Sequence, residues 1–256
     1  MLQTDIARII YQSDSLSVSE DNDSRWLHIG DESILSAIAL QQPQALLLPA
    51  TQMMMMSLLF LDKPIEVALL GLGGGDSLRF FRHYYPATGI TAVEVDAQMI
   101  HIAQQWFSLP QPGDGFTLVI DDAGHYIAHT NRCFDLIMLD IIIDSRMPDS
   151  FNESNLFAAC ERHLSTPGVL AINYVATDAA LLKELLRRLQ QVFQAPLVIL
   201  PVADHQNAIL FVLAGSSLPY DRDDLFQKAD TLQQRYQLPA IAALDQMCHS
   251  NPLLCN

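Results

Sequence analysis

The chain has 256 residues, of which 50% are hydrophobic, and a formal net charge of -15 at pH 7. This length and apolar fraction suffice for one large α/β domain, with or without a small appendage. The excess of acidic residues repels phosphate backbones, so we expect no nucleic-acid partner. No apolar run approaches the roughly 18 residues of a membrane span, and the N-terminus lacks the pattern of a signal peptide. We therefore expect no membrane association and a cytoplasmic location.

The four cysteines give little sign of a metal site or a disulfide framework. Cys133, Cys160, Cys248 and Cys255 form no C-x-x-C pair, and no histidine lies at metal-ligand spacing from them. We expect no metal cofactor.

The first 49 residues predict a small β region. Residues 6–29 contain short apolar and alternating runs separated by the turn residues 21–23, which is typical of a hairpin, and residues 33–40 extend the apolar pattern. Residues 51–61 predict a helix that includes the run Met53 to Met56. That run indicates either a helix packed against a sheet or a pliable cofactor pocket.

From residue 65 onward the pattern alternates between strands and helices. Apolar runs predict strands at 66–71, 90–96, 116–120, 134–140, 168–175, 196–202 and 208–214. Helical segments separate the first six, whereas only the turn 204–207 separates the last two, so the sheet should end in an antiparallel hairpin. Two closing helices follow over 221–249. Residues 50–256 thus predict an α/β methyltransferase-like Rossmann domain with a mostly parallel seven-stranded sheet.

A glycine-rich loop between the first strand and helix of this domain predicts a nucleoside site. Gly71, Gly73 and Gly75 allow positive φ and a close approach of backbone amides to a ligand. Glu94 follows Gly75 by 19 residues, at the end of the second strand. A carboxylate there can accept both hydroxyls of a ribose.

The residue after the glycines argues against a dinucleotide. The dinucleotide fingerprint G-x-G-x-x-G would place its third glycine at position 76, where this chain has Asp76. A carboxylate fits poorly beside a pyrophosphate but tolerates a positively charged sulfonium cofactor. The alternative is that Asp76 only caps the following helix.

Acidic residues follow two further strands. Asp122, after the third strand, could accept the adenine amino group, or else cap the next helix. Asp140 ends the fourth strand, where a carboxylate can steady a cation or take a proton from an attacking amine. Asp144, Asp149 and Glu153 lie beyond it and predict a solvated loop.

Four segments together resemble the spermidine synthase (polyamine aminopropyltransferase) family: VALLGLGGGDSLR, ITAVEVDAQMI, LVIDDAGHYI and FDLIMLD. The resemblance covers residues 50–174 and implies a small N-terminal β-domain, a methyltransferase-like Rossmann domain, and dimers or tetramers. It implies transfer of an aminopropyl group from decarboxylated S-adenosylmethionine to putrescine. It also implies that Glu94 binds ribose and that Asp122 contacts adenine.

The residues that read the amines in that family are changed in this chain. With Leu78-Arg79 held in register, the amine-binding Asp of the family's G-G-G-D-G-G loop falls on Gly74. Asp140 matches the first Asp of D-S-S-D-P, the proposed base, but the next three positions are the isoleucines 141–143. The family's Tyr-His-Glu corresponds to residues 50–52, Ala-Thr-Gln. An apolar wall of isoleucines predicts an acceptor that is less charged than putrescine.

We therefore predict a homodimeric transferase that binds S-adenosylmethionine or its decarboxylated form. It would transfer an aminopropyl or methyl group to an amine-type or other small acceptor, with Asp140 as the base. The alternative is a catalytically inactive nucleoside-binding homologue with a regulatory or scaffold role. An NAD-dependent oxidoreductase is disfavoured by Asp76 and by the lack of a Tyr-Lys or His-Asp catalytic arrangement.

Overall fold

Two β-sheets organise the chain in the computed structural model, which describes residues 7–30, 33–61, 63–141, 156–176 and 178–255. The first sheet is an antiparallel meander of four adjacent strands: β1 (Arg8–Gln12), β2 (Leu16–Glu20), β3 (Ser24–Ile29) and β4 (Ser33–Ala39). The predicted turn joins β2 to β3, where the Asp21 carboxylate accepts hydrogen bonds from the amides of Asp23 and Ser24, both at 2.8 Å. The small N-terminal β region is thereby confirmed.

The second sheet has seven strands in the order β10-β11-β9-β8-β5-β6-β7. Strands β5 to β9 are parallel, and β11 runs antiparallel to both β9 and β10. The strands are β5 (Glu66–Leu70), β6 (Gly89–Glu94), β7 (Phe116–Ile120), β8 (Phe134–Leu139), β9 (Leu164–Val175), β10 (Leu197–Pro201) and β11 (Asn207–Ala214). This order confirms the predicted methyltransferase-like Rossmann fold with its terminal antiparallel hairpin.

Helices pack on the second sheet and its ends. They are α1 (Pro49–Met54), a 3-10 helix (Met55–Leu59), α2 (Asp76–Tyr84), α3 (Ala97–Trp106), α4 (Ala123–His129), α5 (Leu156–His163), α6 (Ala179–Phe193), α7 (Arg222–Tyr236) and α8 (Ala240–Ser250). The methionines at positions 54–56 are fully buried in the main core, which favours the packed-helix interpretation of the methionine run.

The order of the second sheet creates a topological switch point at its carboxyl edge, and we call the space outside it the crevice. Strand β5 is central, and the chain proceeds to β6 and β7 on one side but to β8 and β9 on the other. Backbone hydrogen bonds of 2.9 Å hold Gly71 to Val93 and Asp140 to Leu70, just beyond these strands. Ligands in open α/β sheets bind at such a switch point.

A disulfide joins Cys248, in α8, to Cys255, with their Cα atoms 6.1 Å apart. The expectation drawn from cysteine spacing was wrong for this pair. The chain reverses after α8 because Leu254 is buried in the core and its carbonyl accepts a hydrogen bond from the Tyr220 amide. This reversal brings the two sulfurs together, and spacing alone does not reveal it.

The side chain of Arg79 connects the two sheets. It lies in α2, is 5% exposed, and donates hydrogen bonds to the backbone carbonyls of four residues in separate segments: Ala37, Pro43, Gly74 and Phe107. Its fifth partner is the Asp76 carboxylate, at 2.8 Å. Strand β4, the following loop, the glycine loop and the end of α3 therefore share one buried cation.

The helix-cap interpretation of Asp76 is wrong. Gly75, with φ of 84°, occupies the N-cap position, and no side chain caps this helix end. The Asp76 carboxylate turns instead toward Arg79 and the Ala37 amide, 3.2 Å away. Burial raises the pKa of Asp76, and the charge of Arg79 opposes this.

We expect Arg79→Met to lower the free energy of unfolding by about 3–5 kcal/mol, because it leaves Asp76 buried without its counter-charge. The loss should be smaller in acid, where Asp76 is protonated: a folded-state pKa above the unfolded value means that stability falls as pH rises. Urea denaturation at several pH values measures both effects.

The matched control is Arg187→Met, which removes an exposed partner of Glu184 and should change stability little. Adding Asp76→Asn to Arg79→Met should recover part of the loss, since neither charge is then buried alone. Equal losses for the two arginine variants would contradict this account.

Candidate active site

The glycine loop lies against the end of β8. Gly71 has φ of 94°, and a Cβ atom added to it would lie 2.2 Å from the carbonyl oxygen of Asp140. No other residue fits there, because the loop and the strand end are in backbone contact. Gly73 and Gly75 also have positive φ. The predicted loop glycines thus lie beside the predicted base.

Glu94 holds the other side of this loop. One carboxylate oxygen, Oε2, accepts hydrogen bonds from the amides of Leu72 and Gly73, at 3.1 and 3.4 Å. The other, Oε1, accepts from the Asp96 amide at 3.0 Å. The side chain is half-buried at the end of β6. Because each carboxylate oxygen has two lone pairs, Oε1 retains capacity for a ligand hydroxyl.

Asp122 caps α4, as the alternative interpretation stated. Its Oδ1 accepts a hydrogen bond from the His125 amide at 2.9 Å. No described residue donates a hydrogen bond to the other carboxylate oxygen, Oδ2. Asp122 can therefore cap the helix and also contact a ligand. Neighbouring Asp121 pairs with the His125 ring at 2.8 Å, a contact that lowers the pKa of Asp121 and raises the pKa of His125.

Two exposed apolar side chains lie between Glu94 and Asp122, and sequence reasoning missed both. Val95, which directly follows β6, is 64% exposed, and Ile120, the last residue of β7, is 63% exposed. Ile120 is the register partner of Glu94 across β6 and β7. Apolar side chains exposed at a strand edge suit the face of a flat, uncharged ring. Their position at the carboxyl ends of strands β6 and β7 was the available signal.

Asp140 lies immediately after β8 and is half-buried. Its Oδ1 accepts a hydrogen bond from Nδ2 of Asn173 at 2.8 Å. Burial raises the pKa of Asp140, and the nearby charge of Asp76 adds to this, whereas the hydrogen bond from Asn173 opposes it. A carboxylate with a raised pKa is a stronger base than an exposed one.

Sequence reasoning also missed Asn173, which is 4% exposed and lies near the carboxyl end of β9. Its carbonyl oxygen accepts a hydrogen bond from Nδ2 of Asn207, the first residue of β11, at 2.8 Å. A single amide within the otherwise apolar segment GVLAINYV was the signal, because buried polar groups require partners.

The region around Gly74 and Ile141 is where the resemblance places the amine-binding residues, and it differs from the region around Glu94 and Asp122. The amide of Gly74 donates to the Ser36 hydroxyl at 2.7 Å, and Asp76 is engaged by Arg79, so this stretch of the loop directs no free carboxylate at the crevice. Ile141 is half-buried beside Gly71. The rest of the predicted isoleucine wall lies outside the described residues, as do Asp144, Asp149 and Glu153.

Within the described residues, no group of three or more histidine, cysteine or acidic side chains is arranged to hold a metal ion. No helix there combines the length and apolar character that crossing a membrane requires.

Among solved structures, a probable spermidine synthase from Corynebacterium glutamicum has a TM-score of 0.74 at 23% identity, covering 88% of this chain and 87% of that one. Human Methyltransferase-like protein 13 in complex with SAH has a TM-score of 0.63 at 28% identity, covering 75% and 90%. A spermidine synthase in complex with the transition state analogue AdoDATO has a TM-score of 0.65 at 17% identity, covering 95% and 83%. The first and third, at such low identity, show the fold alone.

Curated relatives are aminopropyltransferases and methyltransferases. The polyamine aminopropyltransferase of Chromobacterium violaceum is 32% identical, over 87% of this chain and 85% of that protein. The human eEF1A lysine and N-terminal methyltransferase is 29% identical, over 71% of this chain but 27% of that protein. The model of the spermine/spermidine synthase domain matches residues 49–222. The chain therefore belongs to the spermine/spermidine synthase family, among relatives that transfer aminopropyl or methyl groups.

Proposed function

We propose that this protein transfers an alkyl group from S-adenosylmethionine or its decarboxylated form to an amine, with Asp140 as the general base. The observation that carries the proposal is the position of Asp140. The backbone carbonyl of Asp140 lies against Gly71, so this half-buried residue adjoins the glycine loop, and the amides of Leu72 and Gly73 in the same loop are held by Glu94. A nucleoside-binding carboxylate and a base therefore flank one crevice.

The β6 and β7 side of the crevice has the groups that an adenosine needs. Glu94 offers oxygen acceptors to ribose hydroxyls, Val95 and Ile120 offer apolar surface to the adenine ring, and Asp122 offers an acceptor to its amino group. The human methyltransferase-like structure contains SAH, and the solved spermidine synthase contains AdoDATO. Both observations support a donor derived from S-adenosylmethionine.

The chemistry follows from the position of the base. The nitrogen lone pair of the acceptor attacks the carbon bound to the sulfonium. A C–N bond forms as the C–S bond breaks, and the electron pair of the C–S bond stays on sulfur to give a neutral thioether. Asp140 takes the proton that the nitrogen loses. Most of the rate enhancement in such a displacement comes from holding the reactants in line.

The loop favours a methyl group over an aminopropyl group. The aminopropyl chain of the decarboxylated donor ends in an ammonium that needs an acceptor or a counter-charge when it leaves water, whereas intact S-adenosylmethionine carries its own carboxylate beside its ammonium. At Gly74 the loop presents a backbone amide already bonded to Ser36, and the carboxylate of Asp76 faces Arg79. Intact S-adenosylmethionine is thus the donor that these residues support best. A homodimer, a small acceptor and a cytoplasmic location stay predictions.

We expect Glu94→Gln to weaken donor binding by about 10- to 100-fold, because a hydrogen bond to a charged acceptor contributes about 1.5–3 kcal/mol. Asp140→Asn should leave binding nearly unchanged but lower turnover by about 10²- to 10⁴-fold. Calorimetry with both donors measures binding, and mass spectrometry of amine products distinguishes methyl from aminopropyl transfer. Glu184→Gln, an exposed change on α6, is the control for Glu94.

Two outcomes would count against this function. Unchanged donor affinity in Glu94→Gln would remove the nucleoside site from this crevice. Donor binding by the wild type without turnover on any amine would favour the nucleoside-binding homologue instead.

The pH dependence tests Asp140 separately. A base works in its ionised form, so kcat/KM should rise with pH through the pKa of Asp140, and this limb should vanish in Asp140→Asn. Because burial and Asp76 raise that pKa, the limb should lie above the usual range of an aspartate. Asp76→Asn should move the limb to lower pH, since it removes a negative charge and leaves Arg79 unpaired. Asp114→Asn, in an exposed loop, should not move it.

A further inference from the structure

Two asparagines form a hydrogen-bonded chain behind Asp140. Nδ2 of Asn207 donates to Oδ1 of Asn173, and Nδ2 of Asn173 donates to Oδ1 of Asp140, each at 2.8 Å. The three residues lie on neighbouring strands, because β9 is adjacent to β8 on one side and to β11 on the other. The chain of amides thus runs across the sheet from the β10–β11 turn to the crevice.

The polarity of this chain has one consistent direction. An asparagine amide has an oxygen end that only accepts and a nitrogen end that only donates. Since Asn207 donates to the oxygen of Asn173, the nitrogen of Asn173 faces Asp140. If the Asn173 amide were reversed, it would point its oxygen at a carboxylate and its nitrogen at the Asn207 nitrogen. An ionised Asp140 only accepts, so it requires the nitrogen of Asn173, and Asn207 supports this orientation by donating to the Asn173 oxygen.

The groups around Asp140 show why the hydrogen bond from Asn173 affects its ionisation. Burial and the charge of Asp76, contributed by α2, both favour the protonated form of Asp140, and Arg79 is already paired with Asp76. From β9, Asn173 is the group that favours the ionised form. Strand β5 and its loop contact Asp140 through backbone atoms of Leu70 and Gly71, which carry no charge. The amide of Asn173 is consequently what keeps a buried carboxylate available as an acceptor of protons.

We propose that Asn207 and Asn173 are positioning residues for Asp140. Asn207 donates to the oxygen of the Asn173 amide and so supports the orientation in which its nitrogen faces Asp140, and Asn173 holds the Asp140 carboxylate in place as an acceptor. The role of this relay in catalysis rests on the proposed function of Asp140 as a base, but its effect on the Asp140 carboxyl group does not. Asn207 lies beside the exposed turn 203–206, so a residue at the surface would tune the base from outside the crevice.

The test measures the titration of Asp140 directly, by NMR of protein with ¹³C-labelled aspartate carboxyls, with the resonance assigned by its loss in Asp140→Asn. Asn173→Ala should raise the pKa of Asp140 by about one unit, because it removes a hydrogen bond to the charged form. Asn207→Ala should raise it less, since Asn173 can still donate to Asp140 but its oxygen loses the hydrogen bond from Asn207.

Asn207→Asp is the decisive variant. Its carboxylate accepts but does not donate, so it should attract the nitrogen of Asn173 and turn the oxygen of Asn173 toward Asp140. The pKa of Asp140 should then rise more than in Asn207→Ala. The matched control is Gln206→Ala, an exposed change in the same turn, which should leave the titration as in the wild type. Thermal unfolding confirms that each variant is folded.

The relay is overturned if folded Asn207→Asp protein titrates at Asp140 as the wild type does. It is equally overturned if Gln206→Ala shifts the titration as much as Asn207→Asp. In an active enzyme, the rising limb of kcat/KM should follow the same order while donor affinity stays within about twofold, which a merely structural role would not produce. If the wild type turns over no amine, the proposed function fails, and the order of the NMR titrations still decides the relay.

Discussion

The site depends on one buried cation. Arg79 touches carbonyl groups of strand β4, the loop after it, the glycine loop and the end of α3, and it neutralises Asp76 within the same helix. Taking a guanidinium out of water is costly unless its donors are satisfied, and here all three nitrogens have acceptors. The glycine loop can therefore keep a conformation in which its amides reach Glu94 and its first glycine touches the end of β8.

The crevice divides its tasks between the two sides of β5. On the β6 and β7 side, Glu94 and two exposed apolar residues make a surface suited to a nucleoside. On the β8 and β9 side, Asp140 and Asn173 make a polar chain suited to handling a proton. The topology produces this division. The order in which strands are added reverses at β5, so each side is built from different helices and strands.

The chain belongs to the spermine/spermidine synthase family although its glycine loop is altered. The two facts are compatible because the alteration affects only part of the site. The chain keeps the glycine loop and Glu94 that resemble the family, whereas Gly74 stands where the family has an acidic residue. The acid that the loop does contain, Asp76, serves to bind Arg79 and the amide of Ala37. Asp76, two positions after Gly74, thus has a structural partner. The loop contains an acidic residue, but that residue is not free to bind a substrate amine.

The sequence by itself determined the mostly parallel seven-stranded sheet, its terminal hairpin and the glycine loop. It also determined that Glu94 and Asp140 lie at the ends of strands. These follow from local patterns: the apolar period fixes each element, and a residue just beyond a parallel strand must lie at the carboxyl edge. Only the tertiary structure decided what Asp76 binds, that Cys248 reaches Cys255, and that two asparagines form a hydrogen-bonded chain to Asp140. Asn173 and Asn207 are separated by 34 residues along the chain, and Asp140 precedes Asn173 by 33. Such partners meet only when strands pair, so no local pattern records which side chain a buried polar group will find.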